Sequence, residues 1–388
     1  MIERRSFLLA PLALAAAQRR IVAAAPQTNV ILIIASGWRG QAVPWAPDSD
    51  FDPPYLNRFG SESVTFSRTY AGYPRLIPGR RIVLTGRFAH SNLLPEITLD
   101  TSSLSALLQA AGYRSAKFGD GPVGDIISFV RGEAQRAAAQ PFYMEWPIEW
   151  TRPYRSGALI ERPATDVPRL RPNVPDSVAA EAKNQLAVFM AQAMLRDRSL
   201  GAVLGEIDRS ALKDNTLVVF TSDRGQQFGS HGLIGDDSFY EESVRIPLAM
   251  RHPRLERGGQ RDMLVSQADI APTILGLCGM PVPEEMQGRN LAGLITENIG
   301  EPPDAVFAEG RMSEPEEWCL LVHGYDKLVV DGSGHPTHLF NLRRDPYEMN
   351  NLVDVSAENL KLDSMTALLQ LWRRKLSDGG DASGLKTR

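Results

Sequence analysis

The sequence predicts an α/β protein with a large, mostly parallel sheet flanked by helices, then a smaller C-terminal antiparallel sheet with a helix. Continuous apolar, β-branched runs alternate with helical patterns up to Leu291, and such runs are typical of strands buried on both faces of a parallel sheet. After Leu291 the segments are short, alternate in polarity and are separated by Gly, Pro and Asp, which favours antiparallel strands. A chain of 388 residues that is 43% hydrophobic is long and apolar enough to form a sizeable core.

The first part begins with a strand of sequence NVILIIA. The following helix carries apolar residues at i, i+3, i+4 and i+7 from Leu104, with Ser102 or Ser103 as its N-cap and Gly112 at its end. The elements predicted here are a strand at Asn29–Ala35, a helix at Thr101–Gly112, strands at Tyr113–Phe118 and Pro141–Trp146, one long or two shorter helices within Val178–Leu212, strands at Thr216–Thr221 and Arg245–Met250, and a helix around Ala268–Leu277.

In the second part, four short strands precede a last amphipathic helix at Glu358–Lys375. The strands are predicted at Ala305–Glu309, Trp318–His323, Lys327–Val330 and His338–Leu342. The apolar face of the helix is predicted to consist of Leu360, Met365, Leu368, Leu369 and Trp372. We therefore expect an α/β domain over residues 26–300 and an antiparallel subdomain over residues 301–388.

Residues 1–25 predict an export signal with a short linker. Arg4 and Arg5 precede Ser-Phe-Leu and an uncharged apolar run that is too short to cross a bilayer. The run ends in small residues, as secretory cleavage sites do, and the paired arginines resemble a twin-arginine signal. Cleavage is expected after Ala17 or Ala25, which predicts a periplasmic or secreted protein with no transmembrane span in the mature chain. The alternative is that this segment is an apolar helix of the fold.

Charge and cysteine content exclude some classes of function. The net charge is −4 and the pI is near 5.9, whereas proteins that bind nucleic acid through charge usually carry a basic surplus. We therefore expect no nucleic-acid partner. Cys278 and Cys319 are too few for a disulfide framework and are expected to be unpaired.

Six segments in chain order resemble the sulfatase family of the alkaline-phosphatase-like superfamily. They are NVILIIASGWRG from Asn29, IPGRRIVLTGRFAH from Ile77, AGYRSAKFGDGPVG from Ala111, TSDRGQQFGSHGLIGDDSFYEESVRIPLAMRHP from Thr221, DIAPTILGLCGMPVPEEMQGRNL from Asp269 and LFNLRRDPYEMNNL from Leu339. The resemblance implies the same two-part fold. It also implies a sulfuric ester hydrolase that uses calcium or magnesium and a formylglycine nucleophile.

The residues that this chemistry requires are mostly replaced. The nucleophile position is Leu76, which has no lone pair or ionisable proton, so we predict no catalytic residue. Ser36 and Gly37 stand where the family has two Asp ligands, so we predict no cofactor and no metal, with Asp223 as a weak candidate ligand. Asp120 and Asp236 stand where the family has lysines that contact the sulfate or the leaving group.

The remnant of the site, which we call the relict pocket, is predicted to comprise Arg80, Asp120, Asp223, Arg224 and Asp236. Among these, Arg80 and Asp223 match the family, and Arg224 replaces a neutral or imidazole ligand. A fixed cation beside Asp223 indicates an internal salt-bridge network in place of a metal. Asp223, Arg80 and Arg224 also have a purely structural interpretation as local pairing residues.

Two functions remain open from the sequence. The first is an exported, non-catalytic member of the family whose partner is a sulfated or carbohydrate ligand or another protein. The second is an active sulfuric-ester or phosphoester hydrolase with a rebuilt site. The second requires a new nucleophile or metal cluster, and its best candidates are Asp120, Asp125, Asp236 and Asp237 gathered around a cation with Asp223.

Overall fold

A computed structural model of the chain describes residues 28–49, 51–92, 103–119, 121–136, 140–149, 169–235 and 237–377. Its larger sheet has seven strands in the order β3-β4-β1-β5-β6-β2-β7. All neighbours are parallel except β6, which is antiparallel to both β5 and β2. The strands are β1 Asn29–Ala35, β2 Val64–Tyr70, β3 Arg114–Lys117, β4 Phe142–Ile148, β5 Thr216–Thr221, β6 Arg245–Arg251 and β7 Gln260–Ser266. The predicted fold class is confirmed.

Helices cover both faces of this sheet because side chains of a strand alternate between faces. Ile31 and Ile33 of β1 pack towards α1, α4 and α5, whereas Leu32 and Ile34 pack towards α2, α3, α7 and α8. The helices are α1 Pro54–Ser61, α2 Leu76–Thr85, α3 Leu104–Ala110, α4 Val123–Gln135, α5 Ala179–Asp208, α6 Glu241–Val244, α7 Ile270–Leu277, α8 Ala292–Glu297 and α9 Asn359–Ser377.

The smaller sheet is antiparallel throughout, in the order β11-β10-β9-β8. Its strands are β8 Ala305–Gly310, β9 Trp318–His323, β10 Asp326–Asp331 and β11 Pro336–Asn341. Helix α9 packs on it through Met365, Leu369 and Trp372, whose ring stacks on Phe307 at a centroid distance of 4.8 Å. Leu360 does not belong to this face: it lies in the first turn of α9 and is 87% exposed.

Several boundaries differ from those that the sequence predicts. Helix α3 begins at Leu104, and Ser103 caps it by accepting the Ala106 N–H at 3.3 Å. The helical pattern between residues 178 and 212 forms one helix, α5. Strands β2 and β7 were not predicted, because β7 is an edge strand that begins with three polar residues and β2 contains an irregularity after Phe66.

The predicted export segment lies outside the described residues. Within the described part, no helix is long and apolar enough to cross a membrane. Cys278 and Cys319 are not bonded to each other, as predicted.

Candidate functional site

Three neighbouring parallel strands, β4, β1 and β5, end at the same edge of the large sheet. Glu149, Ser36 and Asp223 follow these strands within two residues of their ends. In α/β proteins, the crevice at the carboxyl ends of such strands is the usual ligand site. Arg80 of α2 reaches the same place. We call the group Ser36, Arg80, Glu149, Asp223 and Arg224 the crevice cluster.

Asp223 is the centre of the crevice cluster and is fully buried. Its Oδ1 accepts the backbone N–H of Gly37 at 3.1 Å and lies 3.1 Å from Nη1 of Arg224. Its Oδ2 accepts from Nη2 of Arg80 at 3.3 Å. Both carboxylate oxygens are therefore engaged by groups of the protein itself.

The two arginines play different parts around Asp223. Arg80 divides its guanidinium between Asp223 and Glu149, whose Oε1 it reaches at 2.8 Å. Arg224 donates from Nη1 to Ser36 Oγ at 2.8 Å as well as to Asp223. Together the two arginines and the two carboxylates carry no net charge.

Backbone contacts fix the loop that follows β5. The buried Gln267 donates from Nε2 to the carbonyl oxygens of Ser222 and Asp223 at 3.1 and 2.9 Å. Helix α2 packs directly against this loop, so that a Cβ at Gly79 would lie 2.1 Å from the Asp223 carbonyl oxygen. Only glycine fits there, and this closeness brings Arg80, the next residue, to Asp223. Gly37 has a φ of +67°, which glycine adopts without strain and which directs its N–H at Asp223.

The charge on Asp223 depends on these neighbours. Burial raises the pKa of Asp223, while Arg224 and Arg80 lower it and so oppose the effect of burial. A buried carboxylate without such partners would take up a proton rather than remain ionised. The arrangement is that of a paired internal ion.

The residues present do not fit the calcium or magnesium ion that the resemblance implies. Hard cations take about six or more oxygen ligands, and this cluster offers one buried carboxylate whose two oxygens are already engaged. A guanidinium lies 3.1 Å from one of them, and its charge would repel a second cation.

The structure brings together Arg80, Asp223 and Arg224 of the predicted relict pocket. Asp120 and Asp236 lie outside the described residues. Of the carboxylates proposed for a rebuilt metal site, Asp125 is exposed in the first turn of α4, and Asp237 pairs with Arg75 and Arg311 at 2.6 and 3.2 Å. These two therefore do not gather around Asp223, because Asp125 faces solvent and Asp237 faces two arginines.

Leu76, at the predicted nucleophile position, is the first residue of α2. Sequence reasoning missed Glu149 and Gln267. One sequence feature could have identified Glu149: it is a charged residue directly after a fully buried strand. Gln267 had no such feature, because its side chain contacts backbone groups of two segments that are far away in the sequence.

A second ionic group lies where the two sheets meet. Lys327 of β10 is buried and pairs with Glu241 of α6 at 3.0 Å and with Glu348, in the loop after β11, at 2.7 Å. Glu242 pairs with Arg171 at 3.1 Å. We call Glu241, Glu242, Lys327 and Glu348 the junction network.

Within the described ranges, one set of side chains comes near to a metal site, and two of its three members belong to the junction network. Atoms of His231, Glu242 and Glu348 lie within 4.8 Å of one another. The ring of His231 is, however, stacked on Tyr240 at 3.6 Å, and its Nε2 lies 3.1 Å from Asn173 Nδ2. Lys327 and Arg171 already supply cations to the two glutamates, so these contacts favour a structural role for His231.

The profile of the family described as Sulfatase matches residues 28–124 and 149–280, which is more than half of the chain. The chain belongs to the sulfatase family. The matched ranges include the ends of β1 and β5, helix α2 and the loop after β5.

Relatives of this sulfatase-family chain include an ulvan-active sulfatase of Formosa agariphila, with 24% identity over 91% of this chain and 82% of that protein. Human arylsulfatase K is 22% identical over 86% of this chain and 80% of its own length.

Solved structures have the same fold. One is a chain from a glycosaminoglycan-metabolism locus of Bacteroides thetaiotaomicron, with a TM-score of 0.78, 21% identity and coverage of 91% of this chain and 99% of that one. Another is a phosphonate monoester hydrolase of Silicibacter pomeroyi, with a TM-score of 0.75, 18% identity and coverage of 92% and 96%.

Proposed function

We propose that this sulfatase-family protein is non-catalytic and acts by binding. The observation that carries the proposal is Leu76, which opens α2 at the nucleophile position and offers neither a lone pair nor an ionisable proton. An ester hydrolase of this type requires an attacking group and a cationic environment for the leaving oxyanion. Here a hydrocarbon side chain stands at the position of the attacking group, and the crevice cluster carries no net positive charge.

Hydroxyl groups near α2 do not offer a replacement nucleophile. Ser36 Oγ accepts a hydrogen bond from Arg224 and Tyr73 Oη accepts one from the Met312 N–H. Thr85 donates to the Arg81 carbonyl oxygen within α2. An activated hydroxyl requires an adjacent base that accepts its proton. Ser36 is also hydrogen-bonded to Asp223, but that carboxylate is already engaged by the Gly37 N–H and by two arginines, which weakens it as a base. The contacts described for Tyr73 and Thr85 include no base. These contacts weigh against the hydrolase with a rebuilt site.

For the ligand, we propose a sulfated or carbohydrate molecule or a protein partner. The relatives named above include an enzyme active on ulvan and one from a glycosaminoglycan-metabolism locus, which favours a carbohydrate. Since a neutral crevice gives no electrostatic attraction for free sulfate, recognition is expected to involve other parts of the ligand.

We also propose that the protein is exported folded to the periplasm or beyond, on the basis of Arg4, Arg5 and the apolar run that follows. Replacing both arginines by lysine keeps the charge and is expected to abolish export, with the protein accumulating inside the cell. The matched control is Arg19→Lys/Arg20→Lys, which lies after the apolar run and should leave export unchanged. Normal export of the Arg4→Lys/Arg5→Lys variant would refute the twin-arginine assignment.

The test of the main proposal is hydrolysis of 4-nitrophenyl sulfate and 4-nitrophenyl phosphate by purified protein, with calcium or magnesium added. We expect rates equal to those of Leu76→Ala and Asp223→Asn, because none of these side chains takes part in chemistry. Turnover that Asp223→Asn abolishes would overturn the proposal. A low rate that is equal in the unchanged chain and in both variants is the expected background and comes from a contaminant.

A further inference from the structure

We propose that the guanidinium of Arg224 is the built-in cation of the crevice cluster, so that the carboxylate of Asp223 is neutralised without a bound metal ion. This inference concerns charge balance alone. It does not depend on whether the protein hydrolyses an ester, and its test uses different measurements.

The geometry around Arg224 supports this assignment. Its Nη1 lies 2.8 Å from Ser36 Oγ and 3.1 Å from Asp223 Oδ1. These two oxygens come from the ends of neighbouring strands β1 and β5, and they are oxygen donors of the type that a hard cation takes. The guanidinium therefore lies between two oxygens that would otherwise face a metal ion.

Arg80 does not fill this role equally well. It is shared between Asp223 and Glu149, and its distance to Asp223, 3.3 Å, is longer than its 2.8 Å distance to Glu149. Glu149 is 43% exposed and already offsets much of the charge of Arg80. Arg224 is 12% exposed, and an arginine keeps its charge at any ordinary pH.

The same geometry implies a latent cation site. Arg224→Asn would release Asp223 Oδ1 and Ser36 Oγ and would add an amide oxygen. Ser36→Asp would then add a second carboxylate at the end of β1. Gly37 should be left unchanged, because its φ of +67° disfavours other residues and its N–H holds Asp223.

The experiment compares thermal unfolding of the full chain, Arg224→Asn and Arg224→Asn/Ser36→Asp, each with EDTA and with excess calcium. For the unchanged chain we expect no shift in Tm between the two conditions and no stoichiometric divalent ion by elemental analysis. The double variant should have a lower Tm in EDTA and regain at least ~2 °C in calcium, as ligand linkage requires. The matched control is Arg289→Asn, which breaks the 2.9 Å pair with buried Asp269 away from the crevice. It should lose Tm without any response to calcium.

The proposal is overturned if the unchanged protein contains one divalent ion per chain that Asp223→Asn removes. It is also overturned if the double variant folds and its Tm does not respond to calcium or magnesium. Where the double variant does not fold, Arg224→Lys decides instead. This variant retains a cation at the same place. Its Tm should be independent of calcium and close to that of the unchanged chain. A Tm as low as that of Arg224→Ala would refute the assignment.

Discussion

The crevice cluster and the junction network are both buried ionic groups, but they differ in the origin of their cations. In the crevice cluster, the arginines and the carboxylates all belong to the large-sheet part of the fold, although Arg80 lies 143 residues from Asp223 in the sequence. In the junction network, Lys327 comes from the small sheet and pairs with Glu241 next to β6 of the large one. The crevice cluster balances its charge at one edge of the large sheet, whereas the junction network connects the large sheet to the small one.

This difference predicts that the crevice cluster tolerates substitution better than the junction network does. The crevice side chains follow strand ends, where a substitution alters a loop and leaves strand pairing intact. The junction side chains are buried at a contact between two sheets, where each carboxylate requires its partner.

The largest effect is expected from Lys327→Met. It leaves Glu241 and Glu348 buried without their shared cation, and breaking a buried pair in this way costs about 3–5 kcal/mol. The free energy of unfolding from urea titration measures the loss. Lys361→Met is the control, because its pairs with Asp326 and Glu358 are partly exposed and contribute at most about 1 kcal/mol. Equal losses for both variants would mean that the junction network contributes no more than a surface pair.

Arg224→Ala is expected to have the next largest effect. Its removal leaves the fully buried Asp223 with Arg80 as its described cationic neighbour, and we expect a loss of about 2–4 kcal/mol in unfolding free energy. Adding Asp223→Asn should restore part of the loss, because the unpaired charge disappears. If the double variant were less stable than Arg224→Ala by the full cost of Asp223→Asn, the two residues would be uncoupled.

Continuous apolar runs made the central strands predictable. Asn29–Ala35 and Thr216–Thr221 have the predicted bounds, because burial on both faces leaves no polar residue to obscure the pattern. Edge strand β7 and exposed Leu360 were not predictable in the same way, since their environment is decided by packing between distant segments.

The crevice cluster was predictable only in part. The family motifs identified Arg80, Asp223 and Arg224, and the charge pattern suggested an internal network before any distance was known. Glu149 takes part in that network through a contact 69 residues away in the sequence. Such a pairing cannot be predicted from local sequence, because it depends on the topology that places β4 beside β1.

The pH dependence of stability tests the charge balance of the junction network. Burial raises the pKa of Glu348 to about 8, against the opposing effect of Lys327. The folded state therefore holds the Glu348 proton more tightly than the unfolded state does. The contribution of this protonation to the stability of the fold is complete below the unfolded pKa, near 4.5, and is lost as pH rises through about 8. The slope is about 1 kcal/mol per pH unit within that window.

Glu348→Gln is expected to remove this slope while its side-chain oxygen can still accept the Glu241 N–H. The unfolding free energy of the unchanged chain, minus that of the variant, should fall as pH rises between these two values. Subtracting the two curves cancels the contribution of His231, whose pKa burial lowers and which therefore acts in the opposite direction. Parallel curves would show that Glu348 is already ionised in the folded protein.

The smallest effect is expected from Glu149→Gln, which tests whether the balance of the crevice cluster depends on Arg224 or on Arg80. Glu149 is 43% exposed, and its 2.8 Å pair with Arg80 is open to solvent, so the loss should be below about 1 kcal/mol. It should also disappear at about 1 M salt, where the screening length falls to ~3 Å. Asp223 keeps Arg224 and the Gly37 N–H in this variant, so its environment should hardly change. A salt-independent loss as large as that of Arg224→Ala would mean that Glu149 holds Arg80 in place and that Arg80 is the cation on which Asp223 depends.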